Sequence, residues 1–326
     1  MNAMPVHPST TRLVRISRKR TETADVCSFE LADPEGKPLP PFTAGAHLDV
    51  HVPGGPVRQY SLCSPPWETQ RYLIAVLREP VSRGGSAGMH ALAEGQLLAV
   101  SEPRNCFPID PGAGHHLLVG GGIGITPLLA MAQALARDKA SFELHYCTRS
   151  RDRTALRDRI MAGPVGLHAE FHHDDGPAEQ RLDPRVVLEA ARPGTHLYVC
   201  GPTGFMDWVL ESARACGWAE NRLHREYFAA PERSPHPDGA FEIQIASTGE
   251  VIHVAPEQTV LAALARHGVI LPTSCEQGIC GTCAVRVLDG VPDHRDMCFT
   301  EEERSRGDRL TPCCSRSLSP RLVLDL

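Results

Sequence analysis

The sequence predicts a multidomain chain: an antiparallel β-barrel or sandwich, then an α/β domain on a parallel sheet, then a small third domain carrying a cysteine loop. Three observations predict it. Short strand-like runs at fairly even spacing fill residues 10–108, with no long helix between them. From residue 115 apolar strands alternate with helical stretches, the pattern of βαβ units. Three prolines and a glycine then crowd residues 229–240, as in a linker, and the last segment follows at 241–326.

At 326 residues the chain exceeds one ordinary core. It is 42% hydrophobic and 22% charged with a net charge of −6, which lacks the basic face a nucleic-acid partner requires. No apolar run approaches the ~18 residues of a membrane span. The N-terminal "MNAMPVHPSTTRLVRISRKR" has no apolar core of a secretory signal. These features predict a cytoplasmic monomer with neither membrane nor nucleic acid as partner.

The first domain, 1–112, is built from "TRLVRIS", "VCSFELA", "HLDVHV", "QYSLCS", "RYLIAVLRE" and "QLLAV". Within it "RQYSL" lines up Arg58, Tyr60 and Ser61: a cation, a ring and a hydroxyl on one strand. "SRGGSAG" supplies Arg83, Gly84, Gly85 and Ser86, an open-backbone loop with a cation suited to a phosphate. A plain strand and a glycine hairpin would account for either stretch alone.

The second domain, 113–228, opens on "HHLLVGGGIGITPLL", a strand, a turn with Gly121, Gly122 and Gly124, and a helix. Thr126 is expected to cap that helix and Pro127 to occupy its first position. Such an N-terminus offers free N–H groups to a pyrophosphate. It departs from G-x-G-x-x-G, because Pro127 stands at the third glycine. A second turn, "LYVCGPTGFMDWV", places Cys200 and Gly201 at another strand end, as for a dinucleotide lying across both. Cys200 would then approach the nicotinamide; a small buried residue is the plainer reading.

The third domain, 241–326, contains "SCEQGICGTCAVRVLDG". Cys275, Cys280, Cys283 and Cys313 follow C-x4-C-x2-C-x29-C, the plant-type [2Fe–2S] pattern. Two irons need two thiolates each, so a loop wraps one side and the last ligand comes from afar. Structural zinc favours paired C-x2-C knuckles, and only one is present. Cys314 adjoins Cys313, and spacing alone does not separate them. The other cysteines, Cys298 among them, read as ordinary small residues. Thr300 and Glu303 are spaced as a capping box. Twelve acidic and eight basic residues in 241–326 would suit a basic partner surface as well as mere solubility. An iron–sulfur cluster carries single electrons whereas a nicotinamide gives a hydride, so a flavin converter belongs in the barrel.

With "RQYSLCS", "RGGS", "GGIGITP", "CGPTGFMD", "CEQGICGTC", "DHRDM" and "CSRSLSPRLVLDL" in this order, the chain resembles the phthalate dioxygenase and vanillate O-demethylase reductases over nearly its full length. The resemblance implies a β-grasp ferredoxin as the third domain and electron flow from NADH through FMN and [2Fe–2S] to a terminal Rieske non-haem iron oxygenase. It places Arg58, Tyr60, Ser61, Ala75, Val76, Ser86 and Thr126 on the flavin, with Phe228 covering its ring. Thr148, Arg149, Cys200 and Gly201 would lie near the nucleotide. It also selects Cys313 as the last ligand and gives Thr126 and Ser61 places beside flavin N5. Two departures stand out. Leu77 replaces a common lysine, and "TRSRDRTA" has Ser150 where relatives often have an acid, beside Arg149, Arg151 and Arg153. That leaves NADPH open as donor, and a steroid or methylamine monooxygenase remains an alternative acceptor.

Overall fold

The computed structural model describes residues 11–82, 84–228 and 239–326. Arg83 and most of the expected linker lie outside the described residues. The chain forms two compact units, within 11–227 and 228–326.

The first unit begins with β1 (Thr11–Thr21), β2 (Val26–Ala32), β3 (Ala46–His51), β4 (Val57–Ser61), β5 (Tyr72–Leu77), the short helix α1 (Gly85–Ala91), β6 (Leu97–Ser101) and β7 (Arg104–Asn105). Apolar residues at alternate positions of β1 turn Val14 and Ile16 inward, the period of a strand with one wet face. The strands run in the order β4-β3-β6-β1-β2-β5, all antiparallel, with β7 beside β3. The sheet rolls until its ends meet at a bridge between Leu62 and Ile74 and at the Cys63 N–H, which donates to the Leu73 carbonyl at 2.9 Å. The glycine stretch expected as an open loop is instead mostly helix. Gly84 takes a left-handed φ of 92° and the chain coils at once into α1.

The same unit continues with β8 (His115–Gly121), α2 (Ile125–Arg137), β9 (Phe142–Thr148), α3 (Arg157–Met161), β10 (Ala169–His173), α4 (Pro184–Glu189), β11 (Thr195–Cys200), α5 (Thr203–Ala215) and β12 (Leu223–Glu226). The five strands are parallel, in the order β10-β9-β8-β11-β12. The order reverses between β8 and β11, and ligands of such sheets bind beyond the carboxyl ends of the strands at that point. α2 is buried almost all round. Its Ile125, Leu128 and Leu129 share a core with Val26, Ala44, Cys63, Leu73 and Ala75 of the rolled sheet, so the two sheets pack through it.

The second unit contains β13 (Phe241–Ile245), β14 (Val251–Val254), α6 (Val260–Arg266), β15 (Val285–Asp289), β16 (Pro292–Asp293), α7 (Glu301–Arg306), β17 (Arg309–Leu310), β18 (Arg316–Ser317) and β19 (Arg321–Leu324). The order β14-β13-β19-β15-β17 puts a parallel pair, β13 and β19, at the centre of an otherwise antiparallel sheet. α6 lays Val260, Ala263 and Leu264 on its apolar face. Thr300 and Glu303 form the expected capping box on α7.

Candidate functional site

At the switch point two turns press together. A Cβ at Gly124 would lie 2.2 Å from the Cys200 carbonyl oxygen, and one at Gly201 would lie 3.0 Å from Gly121 Cα. One at Gly121 would meet the Phe205 ring at 2.7 Å, while Gly122 has a φ of 54°. The glycines are thus required by the mutual approach of the two strand ends. Thr126 is fully inside, but it does not cap. α2 starts one residue earlier, after a short 3-10 turn, and the Thr126 hydroxyl donates back to the Ile123 carbonyl at 3.0 Å. The chain enters the helix already coiled, which leaves no extended residue for a side-chain cap.

Beside these turns lies an acid that the sequence reading missed. Glu226 ends β12, next to the end of β11, and the Ser61 hydroxyl donates to its Oε2 at 3.3 Å. Desolvation pushes the Glu226 carboxyl up to about 8, against the pull of the Ser61 hydrogen bond. Cys200 is fully buried; burial, with the Glu226 charge adding to it, holds its thiol well above the ordinary range. Ser61, Cys200 and Glu226 therefore share one neighbourhood. The available signal was "REYF", an acid at the end of the last strand of a nucleotide-binding sheet.

The β4 strand separates what the sequence had grouped. Adjacent residues of a strand face opposite ways. Ser61 reaches Glu226, whereas Tyr60 packs against the core of the rolled sheet, where burial pushes its hydroxyl up to about 12. Arg58 joins the glycine stretch. A Cβ at Gly85 would meet the Arg58 side chain at 2.8 Å, so Arg58 lies against the start of α1. Ser86 is engaged within its own loop, accepting from the Glu79 N–H at 3.1 Å and donating to Ser82 at 3.2 Å. Ala75 and Val76 are buried on β5. Val76 points into the core and its carbonyl is taken by the His90 ring at 2.9 Å. Phe228 is 40% exposed, two residues beyond β12.

Thr148 ends β9 with its hydroxyl spent on Thr154, His173 and the Ser150 carbonyl. Arg149 and Arg151 are exposed in the loop that follows, and Arg153 is ion-paired with Asp25. The arginine cluster is therefore not a uniform set of open cations.

In the second unit the cysteine loop joins α6 to β15. The thiols interact in two pairs, Cys275 with Cys280 and Cys283 with Cys313. The neighbouring Cys275 lowers the Cys280 thiol, and Cys313 lowers that of Cys283. Cys280 also accepts from the Thr282 N–H at 3.5 Å, and Cys275 from the Gln277 N–H at 3.4 Å. Two thiol pairs at the rim of one loop are the donor set two irons need. Cys314 touches Cys313 but is held by the Thr311 hydroxyl at 3.3 Å. Gly278 has a φ of 76°, and a Cβ there would lie 2.4 Å from Cys314 Sγ. Cys298 also closes on this loop, hydrogen-bonded to the buried Asp296, which accepts from the Phe299 N–H at 2.9 Å. Sequence reading had taken Cys298 as an ordinary small residue and left Cys314 open by spacing alone.

Among the described residues no helix is long and apolar enough to cross a membrane. Residues 243–318 match the family model of a 2Fe-2S iron-sulfur cluster binding domain. Residues 101–223 match that of the dimethylamine monooxygenase subunit DmmA-like N-terminal domain. The chain is 52% identical to a vanillate O-demethylase oxidoreductase from Pseudomonas sp., covering 96% of this chain and 99% of that one. It is 39% identical to the phthalate dioxygenase reductase of Burkholderia cepacia, covering 96% and 97%. A solved structure described as a phthalate dioxygenase reductase, modular for electron transfer from pyridine nucleotides to [2Fe–2S], superposes with a TM-score of 0.74 at 39% identity over 97% of this chain and 98% of that one. Two glycine turns meeting at a sheet's switch point and two thiol pairs on a ferredoxin loop agree with these likenesses, and the chain belongs to the vanillate O-demethylase and phthalate dioxygenase reductase family.

Proposed function

We propose that this protein is a cytoplasmic reductase that takes a hydride from NADH and delivers single electrons to the terminal oxygenase of a Rieske-type aromatic dioxygenase or O-demethylase system. Bound FMN converts the hydride into single electrons, which a [2Fe–2S] cluster passes on. The observation that carries the reading is the pairing of thiols as Cys275 with Cys280 and Cys283 with Cys313, in a chain that also has a nucleotide-type switch point. A hydride acceptor and a one-electron carrier in one chain require the converter between them.

The geometry favours the following roles. The backbone around Gly121, Gly122, Gly124 and Gly201 approaches the nucleotide without side-chain obstruction. Arg58, against Gly84 and Gly85 at the start of α1, forms the cationic seat for the flavin phosphate. Tyr60, with Ala75 and the Val76 backbone, lines the ring's seat. Burial keeps the Glu226 carboxyl protonated at neutral pH, and Ser61 Oγ lies 3.3 Å from its Oε2, so the pair forms a proton reserve beside the nicotinamide end. Cys200, kept as a neutral thiol, packs the nicotinamide end without adding charge. Cys275, Cys280, Cys283 and Cys313 hold the cluster, and Thr311 keeps Cys314 aside. Exposed Arg149 leaves room for a 2′-phosphate, so donor preference is part of the test.

The test is an anaerobic absorption titration of the purified protein with NADH and, separately, NADPH. Bleaching of both flavin and iron–sulfur bands at a stoichiometric amount of NADH is expected. A colourless protein, or a flavin left oxidised by both nucleotides, would overturn the reading. The match of 101–223 to the dimethylamine monooxygenase model favours a second acceptor class, the amine monooxygenases, which would show as reconstitution with such an oxygenase instead.

A further inference from the structure

Away from these sites, the edge of the parallel sheet gathers metal-ligating side chains. His145 on β9 is opposite Glu170 on β10, and His172 follows two positions on, so all three share one face. His145 Nδ1 lies 3.0 Å from His172 Nε2 and 3.7 Å from Glu170 Oε2. Both rings are buried, 5% and 6% exposed, whereas Glu170 reaches solvent. A cavity of about 540 Å³ opens onto His145 and Glu170, lined also by His115, Glu143 and Arg192.

The outer nitrogens decide how the inner ones are used. His172 Nδ1 is 3.2 Å from the Gln180 carbonyl, which only accepts, so the hydrogen is on Nδ1 and Nε2 is bare. His145 Nε2 lies 3.8 Å from Glu143 Oε2, a carboxylate that favours a ring hydrogen on that side once Nδ1 binds an ion. A hydrogen on Nδ1 instead would turn the Nε2 lone pair toward the Glu143 carboxylate. Without an ion, a hydrogen on His145 Nδ1 donates to His172 Nε2 at 3.0 Å; with that hydrogen on Nε2, toward Glu143, both inner nitrogens are bare beside a carboxylate and are set to share a cation. Burial lowers the basicity of both rings, which works against a shared proton. Ligand atoms of one tetrahedral zinc ion lie about 3.3 Å apart, close to the separations present here. A carbonyl on one ring and a carboxylate behind the other are the outer partners metal-bound histidines use.

We propose that His145, His172 and Glu170 form a binding site for one divalent transition-metal ion, with zinc as the best match, pinning edge strand β10 to β9. Glu143 acts as a positioning residue for His145. The ion stands apart from electron flow, since no ligand belongs to the proposed flavin, nucleotide or cluster sites.

The test is equilibrium dialysis of the holoprotein, flavin and cluster in place, against micromolar zinc chloride with metal analysis. One zinc per chain is expected, with affinity falling at least tenfold in His172→Gln and in His145→Gln. Glu170→Gln, an exposed change that leaves the fold alone, is expected to weaken binding less. His196→Gln, in a second histidine pair on β11 and β12, is expected to leave it unchanged. Zinc should also raise the melting temperature of the wild type but not of His172→Gln. Absence of stoichiometric zinc, or binding retained in His172→Gln and Glu170→Gln, would overturn the proposal. So would binding lost only in His196→Gln.

Discussion

Glu226 shows how far a fold can move one residue's chemistry. As a free side chain it is an ordinary carboxylate; buried at the end of β12 it is pushed up to about 8, against the Ser61 hydrogen bond. The folded value lies above the unfolded one, so the native state binds the extra proton between about 4.5 and 8. The resulting stability is fully present below the lower value and is lost as pH rises through the upper one. Glu226→Gln, which cannot ionise, should therefore gain in melting temperature relative to wild type from pH 5 to pH 9, as thermal scans across that range would show. A variant that tracked the wild type at every pH would contradict a raised carboxyl. The same substitution should slow NADH-driven flavin reduction about 10²-fold at neutral pH in stopped flow, the size expected for a lost proton-handling group.

At the scale of the element, the turns after β8 and β11 are defined by how closely their backbones meet. Gly124→Ala would put a methyl 2.2 Å from the Cys200 carbonyl, which neither backbone can yield to without separating the strand ends. A loss of about 2 kcal/mol or more is expected, together with a raised KM for NADH. Gly204 offers the control, since nothing lies within 4 Å of a Cβ there. Gly204→Ala should leave both stability and KM near wild type in the same denaturation and steady-state assays. The strand–turn–helix was legible in "LLVGGGIGITPLL", but the partner of its glycines was not, because that partner is 76 residues away and meets them only through the β8–β11 ladder.

At the scale of the molecule, the two compact units have different supports. The unit within 11–227 rests on an apolar core running through α2, from the rolled sheet to the parallel one. The unit within 228–326 is smaller, with a core of residues such as Ile243, Val260 and Leu322, and its cysteine loop has little regular structure of its own. Small domains of this kind lean on their metal. Calorimetry of the holoprotein should resolve two transitions, and removing the iron with an anaerobic chelator should lower the one belonging to the cluster unit while the other holds its temperature. A single transition that shifted as a whole would mean that the two units unfold together.

The sequence by itself determined the fold classes, their order and the four-cysteine pattern, because these depend on local periodicity and on spacing along the chain. Strand alternation, glycine turns and C-x4-C-x2-C are all written within short windows. What only tertiary structure decided is which distant groups meet. It set Ser61 against Glu226 while turning Tyr60 the other way, paired Arg153 with Asp25, brought Cys298 and Cys314 to the cysteine loop, and aligned His145 with His172 across two strands. Each depends on strand order and register, which arise from burying both faces of a sheet at once, so none can be read from neighbouring residues alone.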